Sequence, residues 1–418
     1  MRSGSIVSMC LMLLIIAVAM TGCGATKNLT SGLSYESGLE KFEARQFDEA
    51  IAIFQEVADS ESAYANRGRF HLGESYKRQF KWEEATAEFQ KVADSESPTS
   101  YLAAESRNRI SQIREGKRDT ERIKIIHDNQ RESNPDAAAN ALLELGSVYE
   151  NKLDDYDNAI AAYRQLIEEF PGTPKAAQAQ VNIGNIFFYK KYDYVGGWPE
   201  FQKVNVENYP TLTYRVGEVE SLLREVNKIQ EEITEETQFI KRSQKRIIPK
   251  DGRTYTGYDI YGVMEEQVAQ SFVAVATKWR KLKNYPKALE AYRMQIERLP
   301  LILVQASESR YGIGEIYQEQ GLYFDAVDAY NEFIKYHPTY FRREQAVYNT
   351  ALCYESLRDY EEAYENYKTY AMTYPDEKFY KTAELKVRQF EYDEDQDGFP
   401  YYKEATAGTS DTDANAHP

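Results

Sequence analysis

The chain has 418 residues and a mass of 48.3 kDa, room for two or three ordinary domains or one extended repeat array. Its 67 acidic residues against 51 basic ones give a net charge of −16, which disfavours nucleic-acid binding by counterion release. Three Cys and four His exclude a disulfide scaffold, a zinc finger and an iron–sulfur protein, while 34 Tyr suit helices that bury one amphipathic face.

Arg2 precedes an apolar run from Ile6 to Met20, followed by Thr21-Gly22-Cys23. This pattern predicts an export signal over residues 1–22, too short and too early for a membrane span. Met20-Thr21-Gly22-Cys23 resembles the lipobox of bacterial lipoproteins, with Met20 where Leu is usual. The resemblance implies cleavage before Cys23 and acylation of Cys23, a membrane anchor. By the sorting rule of the same family, Gly24 in place of Asp implies the periplasmic face of the outer membrane. Residues 23–34 are small and polar, and read as a flexible tether.

From residue 35 the sequence repeats itself. A small residue is followed by an aromatic three positions on, Ala twelve on, an aromatic sixteen on and Pro twenty-four on. Within 35–134 the copies are Gly38, Ala50, Phe54 and Gly73, Tyr76, Ala85, Phe89, with Pro displaced to Pro98. Ala85 and Ala159 lie two periods apart, so a degenerate hairpin is expected over 98–134, its charged second half reading as a helix and then a linker. The central copies, within 135–210, carry one extra residue in the turn: Gly146, Tyr149, Ala159, Tyr163, Pro171, then Gly184, Phe187, Gly197, Phe201, Pro210.

Residues 211–262 interrupt the pattern. Val219, Leu222, Leu223, Val226, Ile229, Ile233 and Ile240 fall at helical spacing and predict one long helix. A loop rich in Gly and Tyr follows, in which Tyr255, Tyr258 and Tyr261 are candidate interface anchors. Lys241, Arg242, Lys245, Arg246, Lys250 and Arg253 reverse the charge locally. They read as a solvated helix end or as a contact with an acidic partner or anionic lipid headgroups. Within 263–392 the pattern returns three times, at Ala276, Trp279, Ala288, Tyr292, Pro300, at Gly314, Tyr317, Ala326, Tyr330, Pro338, and at Ala351, Tyr354, Ala363, Tyr367, Pro375; a cap helix should close the array.

Offsets of three and four stay on one helical face. The first small residue should admit a neighbouring helix closely, the aromatic three later should fill the gap, and Pro should stop the second helix. No such hairpin buries its apolar face alone, so the hairpins must stack. The pattern resembles the tetratricopeptide repeat, and implies an all-α superhelix, an α-solenoid, ending in a short calcium-binding tail. Together with the lipobox it looks like the outer-membrane lipoproteins of the β-barrel assembly machinery and the periplasmic repeat proteins that coordinate envelope constriction. The resemblance further implies a concave groove for a peptide or partner helix. Its lining would be Arg67, Phe70, Glu74 and Lys77 in one copy, Glu308, Tyr311, Glu315 and Gln318 in another, and Gln345, Tyr348 and Glu355 in the last.

In the tail, 393–418, Asp393, Asp395, Asp397, Gly398 and Glu404 fit the calcium-loop spacing D-x-D-x-D-G-x5-E. The alternating carboxylates converge on the ion, Gly398 makes the sharp turn, the Phe399 carbonyl donates and Glu404 closes the site. The tail resembles bacterial thrombospondin type 3-like calcium repeats, which implies structural calcium. Cys353, in a helical pattern between Leu352 and Tyr354, reads as a buried structural thiol. No nucleophile elbow, zinc-protease, P-loop or C-x-x-C motif is present. The function expected is a lipid-anchored scaffold of the bacterial envelope that binds proteins or peptides, with no nucleic acid and no catalysis. Two alternatives stay open: a solute- or glycan-binding lipoprotein, and an enzyme with an unrecognised site. The sequence leaves the oligomeric state undefined.

Overall fold

The structure is a computed structural model that describes residues 23–97, 100–204, 208–247, 261–394 and 398–409. Among the described residues the regular elements are all helical. The signal segment 1–22 lies outside them. Two units divide the chain, Met1–Ile183 and Gly184–Pro418.

In the first unit, α1 (Cys23–Glu43) pairs with α2 (Phe47–Ala58) and α3 (Ala65–Arg78) with α4 (Trp82–Ser95). Then come α5 (Tyr101–Gln130) and the pair α6 (Pro135–Asn151) and α7 (Tyr156–Glu169); α8 (Pro174–Asn185) runs across the boundary at residue 183, and the π turn that continues it, Ile186–Lys190, belongs to the second unit. The second unit holds α9 (Tyr194–Gln202), α10 (Pro210–Ile247), α11 (Tyr261–Lys281), α12 (Tyr285–Arg298), α13 (Leu303–Glu319), α14 (Tyr323–Tyr336), α15 (Arg343–Ser356), α16 (Tyr360–Thr373), α17 (Tyr380–Phe390) and α18 (Tyr401–Ala407). From α1 to α7, and again from α9 to α17, each helix packs on the next.

The residue that lies over the first small position is the aromatic sixteen (or, with the extra turn residue, seventeen) positions on, not the one three on. A Cβ on Gly38 would stand 2.6 Å from the Phe54 ring, one on Gly73 2.8 Å from Phe89, one on Gly184 2.7 Å from Phe201 and one on Gly314 2.7 Å from Tyr330. Gly146 meets Tyr163 in the same way. These rings sit on the second helix of each hairpin, and Phe54, Phe89, Phe201, Tyr163 and Tyr330 are all fully buried. The Ala twelve on is also fully buried, at Ala50, Ala85, Ala159, Ala288, Ala326 and Ala363.

The aromatic three on has a different task at the turn. The N–H of the residue just before each second helix donates to its carbonyl: Lys81 to Tyr76, Asn284 to Trp279, Leu322 to Tyr317 and Asp359 to Tyr354, all near 3.0 Å. In the longer copies Asp155 reaches Tyr149 and Asp193 reaches Phe187. Closing this turn forces the preceding residue into the left-handed region. Arg45, Phe80, Asp154, Tyr192, Lys283 and Arg358 have φ between 53° and 60°, and Gly321 has 75°. Only one of these seven turns uses the residue that adopts such a φ freely.

The second helices end where Pro dictates. Phe170, Leu299, His337 and Tyr374 each precede a Pro, and all four sit near φ −130°, ψ 55°, because the following ring excludes the helical region.

Two segments differ from the sequence reading. Residues 23–34, expected to be a flexible tether, lie within α1, where a Cβ on Gly32 would stand 3.2 Å from the Tyr64 ring. The degenerate hairpin expected over 98–134 is the single helix α5 of 30 residues. Ile110, Ile113, Gly116, Thr120, Ile123 and His127 are buried along it at spacings of three and four, and no Gly-Pro break divides them, so one helix serves α4 at its start and α6 further along. In the 211–262 segment, Val219, Val226, Ile229, Ile233 and Ile240 form the buried stripe of α10; the loop after it lies outside the described residues. Cys353 is fully buried, and burial pushes its thiol up to about 12.

The turn geometry makes two substitutions move stability in opposite directions. Lys283→Gly is expected to stabilise by about 0.5–1 kcal/mol, the left-handed cost less the added chain entropy. Gly321→Ala is expected to cost about 1 kcal/mol. Denaturant unfolding of the two variants checks the sign of each.

Candidate functional site

Positions expected to line an open groove are largely engaged inside each unit. In the first unit Phe70 is buried against Phe89, ring centroids 5.4 Å apart. Arg67 lies 4.6 Å over the Tyr35 ring and 5.1 Å over Tyr64. Glu74, buried, accepts from Arg109 Nε on α5 at 2.6 Å, and Arg109 also reaches Glu105 at 2.5 Å. Lys77, 3% exposed, donates to Asp154 Oδ2 at 2.8 Å. Asp154 is the left-handed residue of the α6–α7 turn; it also accepts from the Tyr156 hydroxyl and lies 3.9 Å from Arg78. The start of α5 and the next hairpin's turn thus cover this stretch of α3.

The same closure recurs in the second unit. Arg280 on α11 pairs with Glu315 and, at 2.5 Å, with Glu319, both on α13. Glu308 accepts from the Tyr340 hydroxyl at 2.7 Å and lies 3.4 Å from Arg342. Arg342 stands 5.0 Å over the ring of Tyr311, which is buried and takes a hydrogen bond from Asn349. Gln345 donates to Asn349, and Tyr348 stacks on Phe379 with centroids 4.5 Å apart. Gln318 accepts from the Tyr330 hydroxyl at 2.8 Å, and Glu355 from the Tyr367 hydroxyl at 2.8 Å.

The last two contacts belong to a rule that the sequence carries. The residue four after the small position faces the ring sixteen after it. Where that ring is Tyr163, Tyr330 or Tyr367, the facing residue is Glu150, Gln318 or Glu355, and it accepts the hydroxyl. Where the ring is Phe54, Phe89 or Phe201, the facing position holds Phe42, Lys77 or Phe188. Tyr292 faces Arg280 and finds Thr277 instead, at 3.3 Å. A buried hydroxyl without a partner would cost about 1–3 kcal/mol, so the two positions vary together along the chain. Burial pushes the Tyr330 and Tyr367 hydroxyls far up, so they stay neutral and donate; the Tyr330 hydroxyl also accepts from Asn349 Nδ2 at 3.0 Å.

Electrostatics in the first unit are set by burial and by cations together. Burial pushes the Asp154 carboxyl up, and Arg78 and Lys77 more than reverse it, leaving it below the usual carboxylate range. Burial opposes ionisation of Glu74 likewise, and Arg109, Lys77 and Arg78 overcome it.

At the C-terminal end the sequence reading missed a cleft of about 540 Å³ between the last hairpin, α17 and α18. Tyr360, Phe390, Tyr392 and Tyr401 supply its aromatic surface, and Glu355, Lys386, Gln389 and Glu394 its polar groups. Phe390 and Tyr401 stack at 11°, 6.1 Å apart; Lys386 ties to Glu355 at 2.5 Å. Of these residues only Glu355 was singled out from sequence. The cleft is assembled by a helix crossing that has no signature in spacing.

The proposed calcium loop adjoins it. Gly398 has φ 95°, and its N–H donates to Asp393 Oδ2 at 3.0 Å. Phe399 follows, and Glu404, in the first turn of α18, is fully buried. Asp395 and Asp397 lie outside the described residues. Among the described residues no group of three His, Cys, Asp or Glu is placed to hold a metal ion. Tyr255 and Tyr258 also lie outside them; Tyr261 opens α11, and its side chain is not among those described. Cys23 opens α1, with its side chain likewise undescribed. Among the described residues no helix is long and apolar enough to cross a membrane.

Models of the tetratricopeptide repeat match residues 140–173, 308–340 and 345–377, and a second model of the same repeat matches 35–101. The chain therefore carries tetratricopeptide repeats in both units, in an all-helical, solenoid-like fold. Such repeats generally mediate protein–protein interaction and are typically non-enzymatic. No curated protein matches the sequence. Solved structures similar to it include PilW, a type IV pilus biogenesis factor, at 12% identity over 76% of this chain and 97% of that one, TM-score 0.25. The TPR2AB domain of yeast Sti1, in complex with an Hsp90 peptide, is 11% identical over 86% and 97%, TM-score 0.25. A tetratricopeptide repeat protein of Parabacteroides merdae is 11% identical over 86% and 98%, TM-score 0.23.

The Lys77–Asp154 contact yields a pH-dependent expectation. A depressed Asp154 contributes stability that is present above its unfolded pKa, near 4, and is lost as pH falls through its lower folded value. Asp154→Asn should cost about 3–5 kcal/mol at neutral pH, because it leaves Lys77 buried without its counter-charge. The variant should also lose less on acidification than the parent. Urea unfolding at neutral and acidic pH measures both.

Proposed function

We propose that the chain is a lipid-anchored scaffold of the bacterial envelope, acylated at Cys23 and holding protein or peptide partners at the periplasmic face of the outer membrane. The observation that carries the binding role is the tetratricopeptide repeats themselves. The anchoring role is supported by the apolar run ending Met20-Thr21-Gly22-Cys23. Because Glu74, Lys77, Glu315, Gln318 and Glu355 are engaged within the array, they set its shape. Partner contact falls to the C-terminal cleft, where Tyr392 is exposed and Glu394 adds a carboxylate for a basic or aromatic peptide side chain.

Photocrosslinking in intact cells tests the binding role. A crosslinker at Tyr392 should capture one or a few discrete proteins, and one at the exposed Gln90 of the first unit should not. Stabilisation by small sugars with no protein captured would favour the glycan-binding alternative. Mass spectrometry of the membrane-extracted chain should find an acylated N-terminal Cys23, and Cys23→Ser should lose that acylation.

A structural calcium ion in the tail is part of the same reading. What supports it is the spacing of the acidic residues, Gly398 in the left-handed turn and Asp393 beside it. Asp393, Asp395, Asp397, the Phe399 carbonyl and Glu404 would hold the ion, which would fasten α18 to α17. Calcium should slow hydrogen exchange only over about residues 390–418, as hard-oxygen loops order on binding. Glu404→Gln should weaken calcium binding by at least about tenfold, ~1.4 kcal/mol. Unchanged exchange on adding calcium would sink this part alone.

A further inference from the structure

In the second unit, three successive connections between hairpins present large apolar side chains to solvent. Leu301 is 86% exposed, and Leu303 and Val304 beside it are exposed as well. In the next connection Phe341 is 67% exposed, with Tyr336 at the end of α14 also exposed, and just before the third, Met372, in the last turn of α16, is 76% exposed. Antiparallel hairpins reverse direction at every turn, so the connections after α12, α14 and α16 share one edge. Hydrogen bonds join them along it: Tyr340 of the second connection donates to Glu308 just past the first, and Arg343 donates to Tyr374 of the third at 2.6 Å.

The edge is also basic. Residues 298–304, 335–343 and 372–381 hold Arg298, Lys335, Arg342, Arg343, Lys378 and Lys381 against Asp376, Glu377 and the Glu308 that Arg342 faces, in a chain of net charge −16. Cations stand beside the rings: Lys335 lies 5.2 Å over Tyr336, Arg342 5.6 Å over Phe341 and Lys378 4.9 Å over Phe379. Hairpin packing does not demand this chemistry. Two of the corresponding connections of the first unit, those after α2 and α4, begin Val57-Ala58-Asp59-Ser60-Glu61-Ser62 and Val92-Ala93-Asp94-Ser95-Glu96-Ser97, polar and acidic where the second unit is apolar and basic.

We propose that this edge is a docking surface for an anionic lipid bilayer. Leu301, Leu303, Phe341 and Met372 enter the boundary between headgroups and acyl chains, and Lys335, Lys378 and Lys381 lie at the lipid phosphates. Protruding side chains on separate convex tips suit a soft interface that needs no matching pocket. Aromatics and aliphatics flanked by long cationic side chains are the composition that binds at the headgroup level of anionic membranes. The charge complementarity is local, since the chain as a whole would be repelled. The surface does not depend on the anchor at Cys23, although an anchored chain would meet the bilayer at higher effective concentration.

Hydrogen exchange of the full-length chain tests it, with phosphatidylcholine vesicles containing or lacking phosphatidylglycerol. Anionic vesicles should slow exchange several-fold at 301–305 and 339–342, and neutral vesicles should do so less. Leu301→Asp with Leu303→Asp and Phe341→Asp should remove that protection. Lys335→Gln with Lys378→Gln and Lys381→Gln alters only exposed side chains, so it should fold normally and abolish the preference for phosphatidylglycerol. Vesicle association with unchanged exchange at both segments would overturn the proposal and leave the N-terminal anchor standing. Equal protection without lipid at raised protein concentration would also overturn it, assigning the edge to contact between copies of the chain.

Discussion

Everything in the array depends on how closely two helices of a hairpin approach. A small residue on the first helix leaves room for one ring from the second, and at Gly38, Gly73, Gly184 and Gly314 there is no space for even a methyl group without displacing that ring. Such rings are among the largest fully buried groups of the core, and full burial of one such side chain is worth about 1.5–3 kcal/mol. The ring position in turn fixes the crossing of the helices, and the crossing fixes the turn that joins them. That turn is closed by a hydrogen bond to the carbonyl of the aromatic three positions on, and it holds Phe80, Lys283 and Arg358 in a left-handed conformation that their side chains disfavour. Local strain persists in these turns because packing over-determines them.

A second layer of organisation is polar. Once a ring is Tyr rather than Phe, its hydroxyl is carried into the interior and must be met, as Glu150, Gln318 and Glu355 meet it. Charges at the remaining inner-face positions are paired from one hairpin to the next, Arg280 with Glu315 and Glu319, and Lys77 with Asp154. Residues of a type that a recognition groove would use are consumed in setting the stack of each unit. The recognition surfaces we propose are accordingly the C-terminal cleft and the edge of exposed connections in the second unit.

Much of the hairpin pattern was legible because each contact joins residues at fixed separation. The seven small residues, the buried Ala and the terminal Pro could be read from spacing alone. The role of each aromatic could not: offsets of three and sixteen both return to the packed side, and only the geometry assigns the ring to the later one and the turn carbonyl to the earlier. The correlation between the facing position and Tyr or Phe was present in the sequence, but it has meaning only once those two side chains are known to touch. For Glu74, Lys77 and Tyr311 the residue types suited partner binding. Their burial follows from α5 and from neighbouring hairpins, which the repeat pattern does not describe.

By itself the sequence determined a helical repeat protein, since helix periodicity, close contact at small residues and Pro stops are all local in the chain. It also set the acidic balance and the calcium-type spacing of the tail. Only the tertiary structure decided that residues 101–130 form one helix shared by two neighbours, that the inner-face charges pair with each other, and that α17 and α18 enclose an aromatic cleft. The physical reason is range: propensity and periodicity act over a few residues, whereas burial and charge pairing depend on which distant segment arrives to exclude the water.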